Sequence, residues 1–321
     1  MEHSNILVVG GAGFIGRHIV ARLTARGLRV TVPTRRRARA RHLIMLPTIE
    51  VVECDVHDDA VLNDLVRDKD AVINLIGILH GSRGAPYGRE FARSHVELPR
   101  RIVAASRIHG VRRLLHMSAM GADSNGPSMY TRSKGDGDAA VKASQLDWTI
   151  FRPSVVFGPE DNFLNMFATL AKFFPVLSIG SADARFQPVW VGDVADAFVN
   201  ALDNRDTYER TYEVAGPQIY RLRELVAFAA AASGSPRPVF KLPNALARVQ
   251  AMLMELAPGE PLMSRDNLDS MKVDNVAAAQ PFQPAPELGI RMTPLEAEAP
   301  TYLSRAHARS RFGFYRARAG R

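Results

Sequence analysis

A glycine-rich turn between a short apolar run and a helix-like segment is the feature that most restricts how this chain can fold. The apolar run is 6–9, and it is followed directly by Gly10-Gly11-Ala12-Gly13-Phe14-Ile15-Gly16 and the helical pattern 17–26. Glycines in these positions permit a tight turn, a close approach of backbone to ligand, and close packing of helix on strand. The helix N-terminus then presents free N–H groups and a partial positive charge. This order of elements predicts a site for the pyrophosphate of a dinucleotide, contacted by Gly10, Gly13, Phe14, Ile15 and Gly16.

Short β-branched runs alternate with helix-like segments through the first half of the chain. The runs are 6–9, 29–32, 49–52, 71–76, 113–117 and 148–151. Such alternation implies right-handed β-α-β crossovers, and therefore an α/β fold with a doubly wound parallel Rossmann sheet. Two later runs, 187–191 and 211–214, are predicted to return to this sheet, so that its domain is discontinuous.

After Tyr220 the pattern changes to helices broken by prolines, which indicates a smaller, mostly helical lobe that faces a substrate or partner. We predict a dinucleotide-binding domain over 1–157 and about 185–218, the smaller lobe over 158–184 and 219–303, and a basic tail over 304–321. Within the lobe, four apolar residues recur at helical spacing, namely Leu246, Val249, Leu253 and Leu256. We favour a stripe that faces the core, and the alternative is a groove for a lipid-like ligand or a partner.

The formal net charge of +8 comes from two local clusters. Five arginines lie within 35–41 and six lie within 305–321, and the rest of the chain is slightly acidic. Because no nucleic-acid recognition motif accompanies these clusters, we predict no nucleic-acid partner. The arginines of the tail, interleaved with Phe312, Phe314 and Tyr315, suit an anionic membrane surface or an acidic partner, and a tail without function is the simpler alternative.

Composition and cysteine content bear on location. The chain is 46% hydrophobic, and its one cysteine, Cys54, cannot form an internal disulfide. No signal peptide fits ahead of the first strand, and the longest apolar run, 71–79, is far shorter than the roughly 20 residues that span a bilayer. We therefore expect a cytoplasmic protein, at most peripheral at the inner face of a membrane, and we predict no metal site.

The residues after the second strand indicate which nicotinamide cofactor would bind. In folds that bind NAD, an acidic residue about 20 positions beyond the glycine turn holds the ribose 2′-hydroxyl. Here that position reads Pro33-Thr34-Arg35-Arg36-Arg37. A guanidinium pairs with a 2′-phosphate through two hydrogen bonds, so we predict NADP(H) bound by Arg35 and Arg36. A solvated arginine face is the alternative for the arginines that follow.

Three further strand ends are predicted to line the cofactor. Asp55 would accept a hydrogen bond from the adenine amino group while Val56 packs on the ring. The remaining strand-end contacts are Leu75, Ile76, Gly77 and Met117.

Tyr130 and Lys134 stand four residues apart, and this spacing places them on one face of a helix. A neighbouring ammonium would stabilise the Tyr130 phenolate and lower its pKa from the usual value of about 10. The same lysine could donate to the nicotinamide ribose. A surface pair explains the spacing alone, but the position after a nucleotide turn and a fifth strand favours a catalytic pair.

These motifs resemble the short-chain dehydrogenase/reductase superfamily, in its extended, epimerase/dehydratase-type branch. The resemblance extends to Arg152-Pro153-Ser154-Val155-Val156-Phe157-Gly158-Pro159 and Pro188-Val189-Trp190-Val191-Gly192-Asp193-Val194. The stretch 152–167 is similar to the nucleotide-binding accessory subunits of respiratory complex I and their bacterial relatives. The resemblance implies that Pro153, Val155 and Val156 also contact the cofactor, and that the chain has a respiratory-complex partner.

The chain departs from the pattern of active members at the end of the fifth strand. Active members generally place a Ser or Thr there to bond the substrate oxygen. Ala119 occupies that position in this chain, and Ser118 stands one residue early. His95 stands where the branch often carries Asn. A shift of one residue at a strand end turns a side chain to the other face.

Loss of one donor to a developing oxyanion costs on the order of 10²–10³ in rate. We therefore predict a protein that holds NADP(H) as a structural element, with weak or absent catalysis. The alternative is an active NADP-dependent oxidoreductase or epimerase that uses Tyr130, Lys134 and Ser118 on a quinone, lipid or isoprenoid-like substrate.

Overall fold

A computed structural model describes residues 3–257, 259 and 261–304, which fall into two compact units. The first unit takes its described residues from Met1–Pro153, Gly192–Val214 and Pro284–Arg291. The second takes them from Ser154–Val191, Ala215–Gln283 and Met292–Arg321. Each unit is thus assembled from segments that are distant in the sequence. The arginines of the predicted tail, 305–321, lie outside the described residues.

A seven-stranded sheet forms the centre of the first unit. With elements numbered along the chain, its strands are β1 (Asn5–Val9), β2 (Arg29–Thr34), β3 (Ile49–Glu53), β4 (Ala71–Asn74), β5 (Arg113–Met117), β6 (Asp147–Pro153) and β11 (Arg210–Val214). Their order is β11-β6-β5-β4-β1-β2-β3, and every adjacent pair is parallel. The predicted doubly wound parallel sheet is confirmed.

The strand order reverses at β1, which pairs with β2 on one side and with β4 on the other. Ile6 lies opposite Val30 of β2 and Ala71 of β4. In an open parallel sheet, the crevice at the carboxyl ends of the two strands flanking such a reversal is where ligands bind. The glycine turn follows β1 at this edge of the sheet. The predicted pyrophosphate site therefore lies at the crevice where ligands bind in such sheets.

Helices cover the sheet of the first unit because their apolar faces match it. They are α1 (Phe14–Ala25), α2 (Asp59–Val66), α3 (Arg89–Phe91), α4 (Leu98–Ile108), α5 (Met129–Lys142) and α7 (Val191–Ala201). A π-helical segment, Ala92–Glu97, joins α3 to α4. One face of the core combines sheet residues such as Leu7 and Val72 with Leu62 of α2 and Ile102 of α4.

The second unit is mostly helical. Its helices are α6 (Leu164–Phe173), α8 (Leu222–Ala232), α9 (Asn244–Leu256), α10 (Arg265–Ser270) and α11 (Leu295–Leu303). Its short strands are β7 (Val156–Phe157), β8 (Leu177–Ile179), β9 (Arg185–Phe186), β10 (Val189–Trp190), β12 (Tyr220–Arg221) and β13 (Val239–Lys241). Phe167 of α6 packs with Leu225 of α8 and Leu303 of α11 in a core of this unit's own.

The prediction that 187–191 returns to the central sheet is wrong, whereas 211–214 does return as part of β11. The reason lies in the backbone donors of this segment. Gln187 donates to the carbonyl of Asn275 at 3.1 Å, Val189 donates to the carbonyl of Val155 at 3.0 Å, and Pro188 has no N–H. The segment therefore pairs with β7 as β10, in a two-stranded sheet separate from the large one.

The favoured interpretation of the apolar stripe on α9 is also wrong. Leu246, Val249, Leu253 and Leu256 are 56%, 49%, 60% and 77% exposed. The helix instead buries Ala247 and Ala251. A Cβ atom at Gly180 would lie only 2.6 Å from the Ala247 Cβ, so the packing surface admits only small side chains and the large ones are left outside. Among the described residues, no helix is long and apolar enough to cross a membrane.

Candidate cofactor site

The glycine turn after β1 has the geometry that the sequence predicted. Gly10 adopts a φ of +87°, which L side chains rarely allow, and a Cβ atom there would lie 3.2 Å from the Leu75 carbonyl carbon. A Cβ atom at Gly16 would collide with the Gly10 carbonyl oxygen. The turn can therefore close tightly, and α1 can start directly against it, only because glycine occupies these positions.

The N-terminus of α1 is open to an anion. Gly13 is the N-cap and is exposed, no side chain caps the helix there, and its first turn carries no acidic residue. The N–H groups of Phe14, Ile15 and Gly16 belong to this first turn, where a helix has no carbonyl partners of its own. This cradle fits a pyrophosphate by both shape and charge.

Arg35 and Arg36 are exposed directly after β2. The backbone beneath them is fixed, since the Thr34 hydroxyl donates to the Arg36 carbonyl at 3.1 Å and the Arg37 N–H donates to a carboxylate oxygen of Glu53 at 3.0 Å. The backbone of this loop is thus fixed by hydrogen bonds, and it carries two exposed guanidinium groups at the carboxyl edge of the sheet. Their contact with a 2′-phosphate stays a prediction.

Asp55 and Val56 follow β3. Asp55 Oδ1 accepts from the His57 N–H at 3.0 Å, and its Oδ2 lies 3.2 Å from an Arg93 nitrogen. Val56 is buried and belongs to the core. Both residues lie near the carboxyl edge of the sheet, and their roles at an adenine ring stay predictions.

The end of β4 meets Lys134. The strand ends at Asn74, two residues earlier than predicted, although the Leu75 N–H still donates to the Val9 carbonyl at 2.9 Å. A Cβ atom at Gly77 would lie 3.1 Å from Lys134 Nζ, and this Nζ donates to the Met117 carbonyl at 3.1 Å. The structure therefore brings together Gly77, Met117 and Lys134, which the sequence had assigned to one site. Ile76 lies between Leu75 and Gly77 in the same segment.

A capping box starts α5 two residues before Tyr130. The Ser128 hydroxyl accepts from the Thr131 N–H at 3.0 Å, and the Thr131 hydroxyl accepts from the Ser128 N–H at 3.2 Å. This fixed start sets the rotation of the helix, so that Tyr130 and Lys134 share a face. The Tyr130 ring packs edge-on against His95, with ring centres 5.6 Å apart.

The expected lowering of the Tyr130 pKa is wrong for this structure. Burial raises the pKa of Tyr130, and the negative charge of Asp138 raises it further. Burial also lowers the pKa of Lys134 to about 8. The site thus favours a neutral phenol at neutral pH, because burial outweighs the ammonium.

His95 joins the segment after β4 to α5. Its Nε2 accepts the Ile78 N–H at 3.0 Å, so the neutral ring carries its proton on Nδ1. Nδ1 then donates to the Ser133 hydroxyl at 2.8 Å, which donates to the Tyr130 carbonyl at 2.9 Å. Burial, with the nearby charge of Lys134, lowers the pKa of His95 to about 2. His95 is therefore a neutral structural link rather than an acid or base.

Ser118 is buried beside Asp138. Burial raises the pKa of Asp138, and the nearby Ser118 hydroxyl and the Arg152 guanidinium oppose that rise. Among the described residues, neither Ser118 Oγ nor Asp138 Oδ1 makes a hydrogen bond. Ser118 Oγ accordingly makes no hydrogen bond to Tyr130. The residue that follows, Ala119, is buried and offers no hydroxyl.

Sequence reasoning missed Asp138 and His116 in this site. Both side chains are about 2% exposed, and His116 Nε2 lies 3.9 Å from Asp138 Oδ1. The available signal was the position of Asp138 four residues after Lys134, which is the spacing that had already linked Tyr130 to Lys134.

The last predicted cofactor residues divide between the two units. Pro153 ends β6 in the first unit, where its carbonyl accepts from the Met120 N–H at 2.9 Å. Val155 and Val156 belong to the second unit, where Val156 pairs with Val189. The described part of the chain holds no group of three or more side chains able to bind a metal ion.

An open α1 N-terminus at a sheet reversal, together with a Tyr130–Lys134 pair beside β5, defines an α/β dinucleotide-binding protein of the short-chain dehydrogenase/reductase type. The chain belongs to the NAD dependent epimerase/dehydratase family, whose model matches residues 6–215.

The chain is also similar in sequence to named proteins, and its fold is similar to that of a solved structure. The chain is 32% identical over 304 residues to the rat mitochondrial NADH dehydrogenase [ubiquinone] 1 alpha subcomplex subunit 9, covering 93% of this chain and 79% of that one. It is 30% identical over 194 residues to a ceramide reductase of Caulobacter vibrioides, covering 60% and 59% of the two chains. The fold is similar to that of DesIV, a dTDP-glucose 4,6-dehydratase from Streptomyces venezuelae, with a TM-score of 0.65, 23% identity, and 74% and 84% of the chains covered.

Proposed function

We propose that this chain binds NADP(H) at the reversal point of the sheet and keeps it as a structural element, with weak or absent catalysis. The proposal of NADP(H) over NAD(H) rests on Arg35 and Arg36, which stand exposed on a held backbone where an NAD site would carry a carboxylate. A carboxylate there would repel a 2′-phosphate, and two guanidinium groups would bind it.

The position of the Ser118 hydroxyl carries the proposal of a structural cofactor. Carbonyl chemistry at Tyr130 needs a second donor that stabilises the reacting oxygen. Here the hydroxyl lies beside Asp138, the next residue is alanine, and burial holds Tyr130 in its neutral form. The site therefore retains what is needed to bind and lacks one group that is needed to react.

Different residues of the chain would bind different parts of the cofactor. The N–H groups that begin α1 would hold the pyrophosphate, and Arg35 and Arg36 the 2′-phosphate. Lys134 Nζ, with one donor already on the Met117 carbonyl, would direct its other donors at ribose hydroxyls. A bound nicotinamide cofactor supplies or accepts a hydride, and Tyr130 is the group on this face that could donate a proton.

Titration calorimetry with NADPH and NADH tests the choice of cofactor. We expect tighter binding of NADPH, and Arg35→Ser should weaken NADPH alone by about 10- to 100-fold, since a hydrogen bond to a charged group is worth about 1.5–3 kcal/mol. Arg39→Ser, from the same exposed arginine segment, is the matched control and should change little. Tighter binding of NADH would overturn the assignment.

Melting curves test the structural role. Ligand at 100 times its dissociation constant stabilises a fold by about 2.7 kcal/mol, so excess NADPH should raise the melting temperature by several degrees. Tyr130→Phe should keep this gain in full. Rapid NADPH oxidation by the wild type with a quinone or lipid carbonyl, lost in Tyr130→Phe, would instead establish an enzyme.

The name of one relative also supports a proposal about a protein partner. The rat relative is named as a subunit of NADH dehydrogenase [ubiquinone], so we propose that this chain associates with a respiratory complex I on its cytoplasmic or matrix side. Contact of the basic tail with an anionic membrane surface remains part of this proposal. Co-purification of a tagged chain with complex I, compared with a chain truncated after Tyr302, would test both.

An active reductase of an apolar substrate is the second candidate. Two observations favour it: Tyr130 and Lys134 are retained, and the Caulobacter relative is named a ceramide reductase. Substrate-dependent NADPH oxidation, screened over quinones and lipid carbonyls, separates it from the structural proposal.

A further inference from the structure

A buried carboxylate lies one helical turn beyond Lys134. Asp138 is 1% exposed, and residues four apart on a helix are neighbours. Its Oδ2 accepts a hydrogen bond from Arg152 Nε at 2.9 Å and forms an ion pair with a terminal nitrogen of the same guanidinium at 2.7 Å. This two-point contact fixes the carboxylate from the side of β6.

A second chain of contacts reaches Asp138 from β4 and β5. Asn74 Oδ1 accepts from the Ile76 N–H at 3.2 Å, so its Nδ2 is the donor to His116 Nδ1 at 3.1 Å. Neutral His116 therefore carries its proton on Nε2, which lies 3.9 Å from Asp138 Oδ1. The Oδ1 of Asp138 thus faces an N–H group at a distance too long for a hydrogen bond, while Arg152 pairs with the other oxygen, Oδ2.

We propose that Asp138 is a positioning residue for Lys134: its fixed negative charge keeps the Lys134 ammonium protonated and directed toward Met117 and the cofactor edge of β5. This inference rests on the proposed role of Lys134 in cofactor binding. Without a nearby anion, an ammonium in this buried place would lose its proton and with it a donor and a charge.

Titratable groups face Lys134 from each element packed around it. They are Tyr130 and Asp138 on α5, His116 on β5 and His95 on the π-helical segment, with Arg152 of β6 behind Asp138. Burial lowers the pKa of His116 to about 3 and that of His95 to about 2, and burial keeps Tyr130 protonated. Burial raises the pKa of Asp138, but its ion pair with Arg152 at 2.7 Å favours the charged form. Asp138 is thus the carboxylate of this set, and its negative charge opposes the effect of burial on the pKa of Lys134.

The titration of Lys134 without cofactor tests the proposal directly. In protein with ¹³C- and ¹⁵N-labelled lysines, the Nζ and Cε signals of Lys134 are followed against pH and assigned by their loss in Lys134→Arg. We expect a midpoint of about 8 in the wild type, lowered by about one pH unit or more in Asp138→Asn. Asp136→Asn is the matched control, since Asp136 bonds the Tyr87 hydroxyl at 2.7 Å on a different face of α5.

Asp138→Asn leaves Arg152 without its partner and could lower the yield of folded protein, so the double variant Asp138→Asn, Arg152→Gln is measured beside it. Its Lys134 midpoint should also fall, because Asp138 is the charged group that raises the pKa of Lys134. A lower melting temperature with an unchanged midpoint in the folded variants would overturn the proposal. That result is expected if Asp138 and Arg152 only stabilise the fold and do not affect the titration of Lys134.

NADPH affinity across pH then separates this inference from the proposed function. Wild-type affinity should decline above about pH 8, and in Asp138→Asn the decline should begin about one pH unit lower. A shifted Lys134 midpoint with no NADPH binding at any pH would refute the proposed function and leave the role of Asp138 intact. An affinity profile that does not move with the midpoint would refute the link between the two.

Discussion

The strand β5 has a buried cation at each end, and the two cations are held in different ways. At its first residue, Arg113 is 1% exposed, and all three guanidinium nitrogens are engaged. They donate to the carbonyls of Leu202 at 2.9 Å, Asp147 at 2.6 Å and Ala201 at 2.6 Å, and to the Thr207 hydroxyl at 3.1 Å. At the last residue, Lys134 Nζ makes one hydrogen bond within the described residues, to the Met117 carbonyl.

The two cations differ in how many of their donors are used within the fold. Arg113 bonds carbonyls at the end of α7 and the start of β6, and its guanidinium also lies 4.3 Å from the centre of the Tyr208 ring. Four of its five N–H donors are thus used within the fold. An ammonium has three donors, and among the described residues Lys134 makes a hydrogen bond with one of them. The fold thus uses most donors of Arg113, and we propose that the remaining donors of Lys134 bind the cofactor.

Replacing Arg113 should give the largest effect on stability. Arg113→Met removes four hydrogen bonds of a buried charged group, three of them to carbonyls, so we expect the free energy of unfolding to fall by about 3–5 kcal/mol, with unchanged NADPH affinity in the protein that remains folded. Denaturant unfolding measures the first quantity and calorimetry the second. The adjacent, largely exposed Arg112 is the matched control, and Arg112→Met should cost no more than about 0.5 kcal/mol.

Replacing Lys134 should give the opposite pattern. Lys134→Met removes a buried charge that has one partner, so the free energy of unfolding should stay within about 1 kcal/mol or rise. NADPH affinity should fall by about 10- to 100-fold, which corresponds to lost charge-assisted hydrogen bonds. Lys142→Met, on the exposed face of α5, is the control. Equal losses of stability in Lys134→Met and Arg113→Met would contradict the claim that the cations at the two ends of β5 have different roles.

Mild acid should separate the two ends further, because Lys134 has two buried histidines beside it, whereas the charged neighbours of Arg113 are carboxylates and tyrosines. The folded-state pKa of His95 is lowered to about 2, so its neutral form stabilises the fold fully above the unfolded value of 6.5 and this stability is lost as pH falls below it. Between pH 6.5 and pH 5 the loss should be about 2 kcal/mol.

His95→Asn keeps a donor and an acceptor without titrating in this range. Denaturant unfolding at pH 7 and pH 5 should show less acid destabilisation in His95→Asn than in the wild type. His109→Asn, at the partly buried end of α4, is the control and should retain the wild-type slope. An identical acid slope in all three proteins would show that His95 does not account for the acid sensitivity.

The parts of the fold that the sequence predicted are those set by local spacing. The glycine turn, the strands of the central sheet and the Tyr130–Lys134 spacing each depend on residues within a few positions of one another. The outward stripe of α9 and the pairing of β10 did not follow from such patterns. Their outcome depended on Gly180 and on the donors of Gln187 and Val189, which meet partners far along the chain.

By itself the sequence determined that a dinucleotide turn starts the chain, that arginine stands where an NAD site carries acid, and that a tyrosine and a lysine share one helical face. Only the tertiary structure decided what that pair can do. Burial raises the pKa of Tyr130, Ser118 lies beside Asp138, and Asp138 stands between Arg152, His116 and Lys134. The physical reason is that spacing selects the face of an element, whereas the charge state of a group depends on burial and on neighbours that only the folded chain assembles.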